Sequence, residues 1–131
     1  MALDISQHDV EGITVCDFKG SIVLGDSASA VRTLVKDLTT GGKTRAVFNL
    51  KQVDFVDSSG LGVLILAHSN MQTAGGALKL ANLSRRSMEL LVLTKLSTVF
   101  EVFGDEQDAV NSFFPNREIR RFDILEFVKH K

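Results

Sequence analysis

The chain has 131 residues, of which 44% are hydrophobic and 24% are charged, a composition typical of one soluble globular domain. The formal net charge of −1 gives no electrostatic reason to expect nucleic acid or an anionic membrane as the partner. The longest apolar run near the middle covers residues 61–67 and is far too short to span a bilayer. The N-terminus has no basic segment followed by an apolar one, so we expect no secretory signal and a cytoplasmic location.

Two strands are predicted at residues 3–8 and 13–18, joined by a turn at 10–12 in which Gly12 supplies an unusual backbone angle. The second strand contains Cys16, the one cysteine of the chain. Because it has no partner for an internal disulfide, Cys16 is expected to be a small buried hydrophobic residue.

A helix is predicted from Asp26 to about residue 40. Asp26 and Ser27 offer side-chain oxygens for its N-cap, and Gly41 and Gly42 end it because glycine adopts a left-handed cap without steric cost. Apolar residues recur every three or four positions and form one stripe. These residues are Ala30, Val31, Leu34 and Leu38.

From residue 45 onward, predicted strands alternate with predicted helices, which is typical of a layered α/β domain. The elements are a strand at 45–50, a loop through Asp57, a helix at 59–74, a strand at 78–81, a helix opened by Ser84, a strand at 98–103 and a short helix capped by Asp105. The strand at 45–50 is expected to be buried on both faces, because its apolar residues do not alternate with polar ones.

The pattern changes after Pro115, where large apolar residues lie among charged ones at a spacing that fits a short amphipathic helix. These residues are Phe122, Ile124, Leu125, Phe127 and Val128. We expect the segment to dock, because exposed side chains of this size are an aggregation liability. Its own domain, a second copy of the chain and another partner are all open as the docking surface.

Two motifs resemble catalytic loops but lack residues that those loops require. Gly-Lys-Thr at 42–44 resembles the end of a phosphate-binding loop, but Asp37 stands where the first glycine is required. This segment also follows a helix and precedes a strand, the reverse of the required order. Ser-Ser-Gly at 58–60 is not a nucleophile elbow, because neither serine has a glycine two residues before it.

The three histidines, His8, His68 and His130, are far apart in sequence and lack metal-ligand spacing. No pair of carboxylates is placed for general acid and base catalysis. The sequence therefore predicts neither a metal site nor an enzyme.

The junction between the strand at 45–50 and the next helix carries the most informative residues. Asp57 is placed to cap the unpaired N–H groups of the first helical turn, and Ser58 and Ser59 add hydroxyls at the exposed part of the loop. A serine-rich helix cap is one explanation of this pattern. Gly60 and Gly62 require a further reason, because each costs about 1 kcal/mol in a helix relative to alanine. Without side chains, both positions allow another surface to approach the backbone.

The sequence Asn-Leu-Lys-Gln-Val-Asp-Phe-Val-Asp-Ser-Ser-Gly-Leu-Gly-Val at 49–63 resembles the signature of STAS-domain anti-sigma factor antagonists. The similarity extends to residues 20–25, 75–80 and 93–100, and covers roughly residues 3–113 in the order and spacing of the family. It implies an α/β fold in which a mixed sheet of about five strands has about four helices packed mainly on one face. We therefore predict a single STAS domain at 1–114, followed by a C-terminal extension at 115–131.

The resemblance implies a non-enzymatic switch that works by exchanging partners. An anti-sigma factor that is also a serine kinase of the histidine-kinase-like ATPase type would phosphorylate Ser58, and a serine phosphatase would reverse this. The unphosphorylated chain would bind the anti-sigma factor, and the phosphorylated chain would be released. The chain would need no cofactor, because the kinase supplies the ATP site, and it would be a monomer or weak dimer. The partner-binding loop and helix start would comprise Asp57, Ser59, Gly60, Leu61 and Gly62.

One departure from the family concerns residues 21–24. Many members carry an acidic pair shortly after the glycine that ends the second strand, whereas this chain has Ser-Ile-Val-Leu there. If that pair assists kinase docking, the partner here differs; Asp26 is the nearest possible substitute. A constitutive STAS adaptor in a signalling or transport complex is the alternative function.

Overall fold

A computed structural model describes residues 3–120 and 122–129 of the chain. Five strands form one mixed sheet in the order β1-β2-β3-β4-β5. The strands are β1 (Asp4–Val10), β2 (Ile13–Ile22), β3 (Arg45–Val56), β4 (Ala77–Ala81) and β5 (Glu101–Phe103). The first pair is antiparallel and the other three pairs are parallel. The predicted five-stranded α/β fold is therefore confirmed.

The antiparallel pair is a tight hairpin. Val10 pairs with Ile13, and the two residues between them, Glu11 and Gly12, both have positive φ angles of 55° and 86°. Two positive φ angles are what a two-residue turn needs to match the twist of the flanking strands. The predicted turn is confirmed, and it extends the hairpin to the full length of β1.

Five helices accompany the sheet: α1 (Asp26–Thr40), α2 (Ser58–Thr73), α3 (Arg85–Leu93), α4 (Glu106–Asn111) and α5 (Ile124–Lys129). The side chains of α1, α2 and α3 cover one face of the sheet and form the main core, with Ile124 at its border. On the opposite face, α4 covers a smaller core. Neighbouring strand residues such as Val47 and Phe48 point to opposite faces, so both faces of β3 are buried as predicted. No helix in the described ranges is long and apolar enough to cross a membrane.

Two strands differ in length from the predictions. The parallel ladder between β2 and β3 continues, with register shifts, as far as the pair Ile22 and Val56, so residues 51–56 are a strand rather than the expected loop. Conversely, β5 begins at Glu101 rather than at residue 98. The β3 strand pairs with β2 as far as Ile22, whereas β5 pairs with β4 over only three residues, from Lys79 to Ala81.

The predicted N-cap of α1 is wrong. Gly25 occupies the cap position, and no side chain satisfies the first turn. Ser27 instead turns back to the preceding loop, where its Oγ accepts from the N–H of Val23 at 2.7 Å and donates to the carbonyl of Val23 at 2.9 Å. Asp26 lies inside the first turn and is exposed. The helix start is therefore held through Ser27 rather than through a cap.

The caps predicted for α3 and α4 are confirmed. The Ser84 hydroxyl accepts a hydrogen bond from the backbone N–H of Ser87 at 3.0 Å. The Asp105 carboxylate accepts one from the N–H of Asp108 at 2.8 Å. Each satisfies an otherwise unpaired donor of the first turn and fixes where the helix begins.

The described part of the C-terminal extension packs against its own domain. Arg120 contacts both Asp105 and Asp108 at the start of α4, at 2.6 and 3.2 Å. Farther along, the side chain of Ile124 is only 6% exposed. Arg85 of α3 donates to a backbone carbonyl of α5 at 3.0 Å. The structure thus favours the first of the three docking surfaces considered above, while the domain boundary at residue 114 stays a prediction.

Candidate functional site

The junction between β3 and α2 is fixed to the end of β2. Asp57 is the N-cap of α2, and its Oδ1 accepts the N–H of Gly60 at 2.7 Å. Its Oδ2 accepts the N–H of Leu24 at 3.1 Å, while its own N–H donates to the carbonyl of Ile22 at 3.2 Å. The predicted cap is confirmed, and it also joins α2 to the loop that follows β2.

These hydrogen bonds determine the charge of Asp57. The N–H groups of Gly60 and then Leu24 hold the pKa of this carboxyl below its usual value of 3.8, because they stabilise the ionised form. Asp57 is therefore a carboxylate at neutral pH. Its negative charge lies beside the positive end of the α2 dipole, which stabilises it further.

The two glycines of the first turn have different surroundings. A Cβ on Gly60 would lie 1.9 Å from the carbonyl oxygen and 2.7 Å from the carbonyl carbon of Ile22. Gly60 is buried, and the surface that approaches its backbone belongs to β2 of the same chain; its place in a partner-binding segment stays a prediction. Gly62 is exposed, and a Cβ there would meet no atom of the described residues within 4 Å. Of the two, only Gly62 presents an open backbone.

The remaining residues of the predicted site divide between the surface and the core. Ser58 is exposed and Ser59 is half-buried, and neither hydroxyl has a hydrogen-bond partner among the residues that the structure describes. Leu61 is buried in the main core, and its place in the partner-binding segment stays a prediction. The helix periodicity accounts for this, since Leu61 and Leu64 share the inward face of α2.

A surface groove opens beside Ser58, with a volume of about 430 Å³; we call it the Ser58 groove. Residues 55–58 line one side, and the α3 residues Arg86, Ser87, Glu89, Leu90 and Leu93 line the other. Two of its apolar side chains are exposed, Phe55 at 40% and Leu93 at 80%. The guanidinium carbon of Arg86 lies 5.4 Å from the centroid of the Phe55 ring. The groove therefore combines apolar contact area with charges of both signs.

The segment that departs from the family lies next to this junction. Leu24 is 77% exposed, and its backbone N–H is the group that binds Asp57. An exposed leucine thus lies beside the Asp57 carboxylate, in the stretch where the sequence was expected to depart from the family.

Sequence reasoning missed the α3 side of the groove. Met88 and Leu91 of α3 are buried in the core, but the periodicity of the helix says nothing of what its outer residues face. Leu93 is exposed at the end of α3. Its position off the buried stripe of an amphipathic helix was the signal in the sequence that pointed to this surface. Phe55 was assigned to a loop, which hid its place at the end of a strand.

A second cluster of polar groups, which sequence spacing did not reveal, lies far along the sheet from Ser58. The ring nitrogens of His8 face carboxylate oxygens of Asp17 at 3.1 Å and Glu106 at 3.3 Å. The other oxygen of each carboxylate accepts from the side-chain amide of Asn49, at 3.1 and 3.3 Å. These four groups satisfy one another within the chain. His130 lies outside the described residues.

Two further residues considered in the sequence are Cys16, which lies in the core, and His68, which is half-buried. Cys16 is fully buried, and burial raises the pKa of its thiol to about 12, so it has no thiolate at neutral pH. His68 lies edge-on against Phe100, with ring centroids 5.5 Å apart. Neither contributes to the Ser58 groove.

The chain resembles known proteins in both sequence and fold. Residues 4–109 match the STAS domain family. Over 61 residues the chain is 36% identical to the anti-sigma-B factor antagonist of Bacillus subtilis (strain 168); this segment is 47% of the chain and only 56% of that relative. The resemblance found in the sequence is therefore confirmed.

Solved structures of the same fold include an anti-sigma factor antagonist from Mycobacterium paratuberculosis. It is 20% identical with a TM-score of 0.75, and the match covers 85% of this chain and 93% of that one. The Bacillus cell fate determinant SpoIIAA in its phosphorylated form is 18% identical with a TM-score of 0.65, covering 86% and 99%. At these identities the likeness establishes the fold. Taken with the match over residues 4–109, it means that the chain belongs to the STAS domain family.

Proposed function

We propose that the chain is an anti-sigma factor antagonist that exchanges partners according to the phosphorylation of Ser58. The observation that carries this proposal is the exposed Ser58, which follows the ionised Asp57 and lines the Ser58 groove. A relative named as an anti-sigma-B factor antagonist supports it. A protein of the same fold, known in a phosphorylated form, supports the modification.

The unphosphorylated state presents a neutral hydroxyl beside exposed Phe55 and Leu93. An anti-sigma factor would bury these apolar side chains and pack against Ser58. Burial of apolar area at the centre of an interface contributes most of its binding free energy, while the polar rim sets its orientation.

Phosphorylation would end this contact. The anti-sigma factor, acting as a serine kinase, would transfer the γ-phosphoryl group of ATP to the Oγ of Ser58, releasing ADP and the hydroxyl proton. The product carries about −1.5 to −2 charge at neutral pH. Next to Asp57, that charge would have to be desolvated in an interface shaped for a hydroxyl. A loss of about 3 kcal/mol weakens binding more than a hundredfold.

A serine phosphatase would return the chain to its binding state by hydrolysing the phosphoester to inorganic phosphate. The chain itself would contribute no catalytic group and no cofactor. We place it in the cytoplasm, as a monomer or weak dimer that meets the kinase and the phosphatase in turn.

The proposal is tested with two affinity baits, the unmodified chain and the chain carrying phosphoserine at position 58, installed during translation. Each is exposed to extract of the native cells, and bound proteins are identified by mass spectrometry. We expect an anti-sigma factor with serine kinase activity on the unmodified bait, depleted about a hundredfold or more on the phosphorylated one. Ser59→Ala serves as a control that should retain the partner. Capture of the same proteins by both baits would contradict the switch and favour the constitutive adaptor.

A further inference from the structure

A phosphoryl group on Ser58 needs a positively charged group of this chain to compensate its negative charge. The start of a helix is a common site for such a group, because its N–H donors are unpaired. Here the Asp57 carboxylate already accepts the N–H of Gly60 at 2.7 Å, and the Asp57 carbonyl accepts that of Leu61 at 2.8 Å. The negative charge of Asp57 thus already lies at this helix start, where it repels a second anion.

The Ser58 groove offers one alternative. Arg86 is the only basic side chain among the described residues that line it, and the acidic ones are Asp57 and Glu89. Within the described ranges, Arg86 takes part in no ion pair. Its guanidinium carbon lies 5.4 Å from the centroid of the ring of Phe55, which lines the groove on the opposite side together with Ser58.

We propose that Arg86 binds the phosphoryl group of phosphorylated Ser58 across the Ser58 groove. This inference rests on the proposed function, because it needs the phosphate at Ser58. A planar guanidinium can donate two parallel hydrogen bonds to phosphate oxygens, a stronger interaction than an exposed cation–π contact. The guanidinium would therefore exchange the face of Phe55 for the phosphate.

The exchange gives phosphorylation a second effect on the partner. The salt link would join the start of α2 to α3 and close the mouth of the groove. A partner bound to the open groove would then meet a bridge between its two sides in addition to a new charge. Arg86 acts here as a positioning residue, since it holds the modified side chain and takes no part in phosphoryl transfer.

The neighbouring Arg85 provides a matched control. It carries the same charge but turns toward α5, donating to the carbonyls of Phe127 at 3.0 Å and Val128 at 3.3 Å. Its guanidinium carbon lies 4.6 Å from the centroid of the Phe127 ring. Replacing Arg85 changes the net charge as replacing Arg86 does, but at a site that faces away from Ser58.

The experiment measures the pKa of the phosphate itself. Phosphoserine is installed at position 58 during translation, in the otherwise unchanged chain and in the variants Arg86→Gln, Arg86→Lys and Arg85→Gln. The ³¹P chemical shift is followed through the second phosphate pKa, which is about 6 in the free amino acid. Because a nearby cation favours the dianion, Arg86→Gln should raise this pKa by roughly half a unit, less than an arginine shifts a buried carboxyl. Arg85→Gln should leave it unchanged, and Arg86→Lys should fall between.

Equal phosphate pKa values in the unchanged chain and Arg86→Gln would overturn the inference. So would an Arg85→Gln shift as large as that of Arg86→Gln. Because the phosphate is installed without a kinase, neither result depends on whether the switch operates in cells. Failure of the proposed function would appear separately, as identical capture by the two baits.

Discussion

Replacing Gly60 by alanine places a methyl group where the backbone of β2 already lies. The new Cβ would be 1.9 Å from the carbonyl oxygen of Ile22, the same oxygen that accepts the N–H of Asp57. These are backbone atoms of a buried strand, so they cannot move aside as the end of a flexible side chain can. Either α2 shifts away from the sheet or the hydrogen bond at Asp57 is lost.

The sign of the effect depends on two opposing terms. Alanine is favoured over glycine inside a helix by about 1 kcal/mol. Forcing an extra carbon into a packed interior costs about 1 to 3 kcal/mol, and occasionally more. With a contact this short to rigid atoms, the steric cost exceeds the helix gain, and we expect Gly60→Ala to be destabilised. Gly62→Ala has no steric term, because that position is open, and should gain about 0.5 to 1 kcal/mol.

Urea unfolding of the two variants measures the difference. The chain has neither Trp nor Tyr, so far-UV circular dichroism is the appropriate signal. With a slope of about 1 to 3 kcal/mol per molar urea, the expected changes shift the midpoint by several tenths of a molar or more. A Gly60→Ala midpoint at or above that of the parent chain would refute the packing argument. A Gly62→Ala midpoint lowered as far as that of Gly60→Ala would refute the comparison between the two sites.

Three other predictions follow from burial and charge. Ile124→Ala should lower the free energy of unfolding, measured in urea, by about 2 to 4 kcal/mol. The side chain of Leu125 is 49% exposed, so Leu125→Ala should change this free energy by no more than about 0.5 kcal/mol. Equal losses would contradict the docking of α5. Cys16 should react with a thiol reagent only in urea, and rapid labelling of the native chain would contradict its burial. The free energy of unfolding should also fall above pH 9.0, because the native pKa of the Cys16 thiol, about 12, exceeds the unfolded value. The pKa of Asp57 is lowered on folding. The ionised carboxylate therefore adds to the free energy of unfolding in full above pH 3.8, and this addition is lost as the pH falls through the lower native pKa. Asp57→Asn should therefore lose less stability on acidification than the parent chain; an equally steep loss would contradict the cap.

The sequence predicted the features that depend on neighbouring residues. The hairpin turn at Glu11 and Gly12, and the caps at Ser84 and Asp105, follow from turn and capping preferences that operate over a few positions. The alternation of strands and helices follows from hydrophobic periodicity in the same way. At α1 the same reasoning failed, because Ser27 bonds back to the preceding loop rather than forward into the helix.

Features that depend on distant residues were not predictable. Residues 51–56 are largely polar or exposed and resemble a loop, yet they pair with the end of β2. Gly60 was assigned to partner access because nothing local indicates that Ile22 passes within contact of it. The Ser58 groove exists because α3 packs beside β3, whose last residues lead to Ser58, and Arg86 joins it only through that packing.

The most direct test of the central claim is the mass of the protein purified from its native cells under growth and stress conditions. The account predicts that a fraction of the molecules carries an additional mass of about 80 Da, the mass of one phosphoryl group. Peptide mapping across residues 45–77 should locate this mass on Ser58, and Ser58→Ala should abolish it while Ser59→Ala retains it. A chain that stays unmodified at Ser58 under all conditions, or that carries the phosphate on Ser59, would contradict the proposed switch.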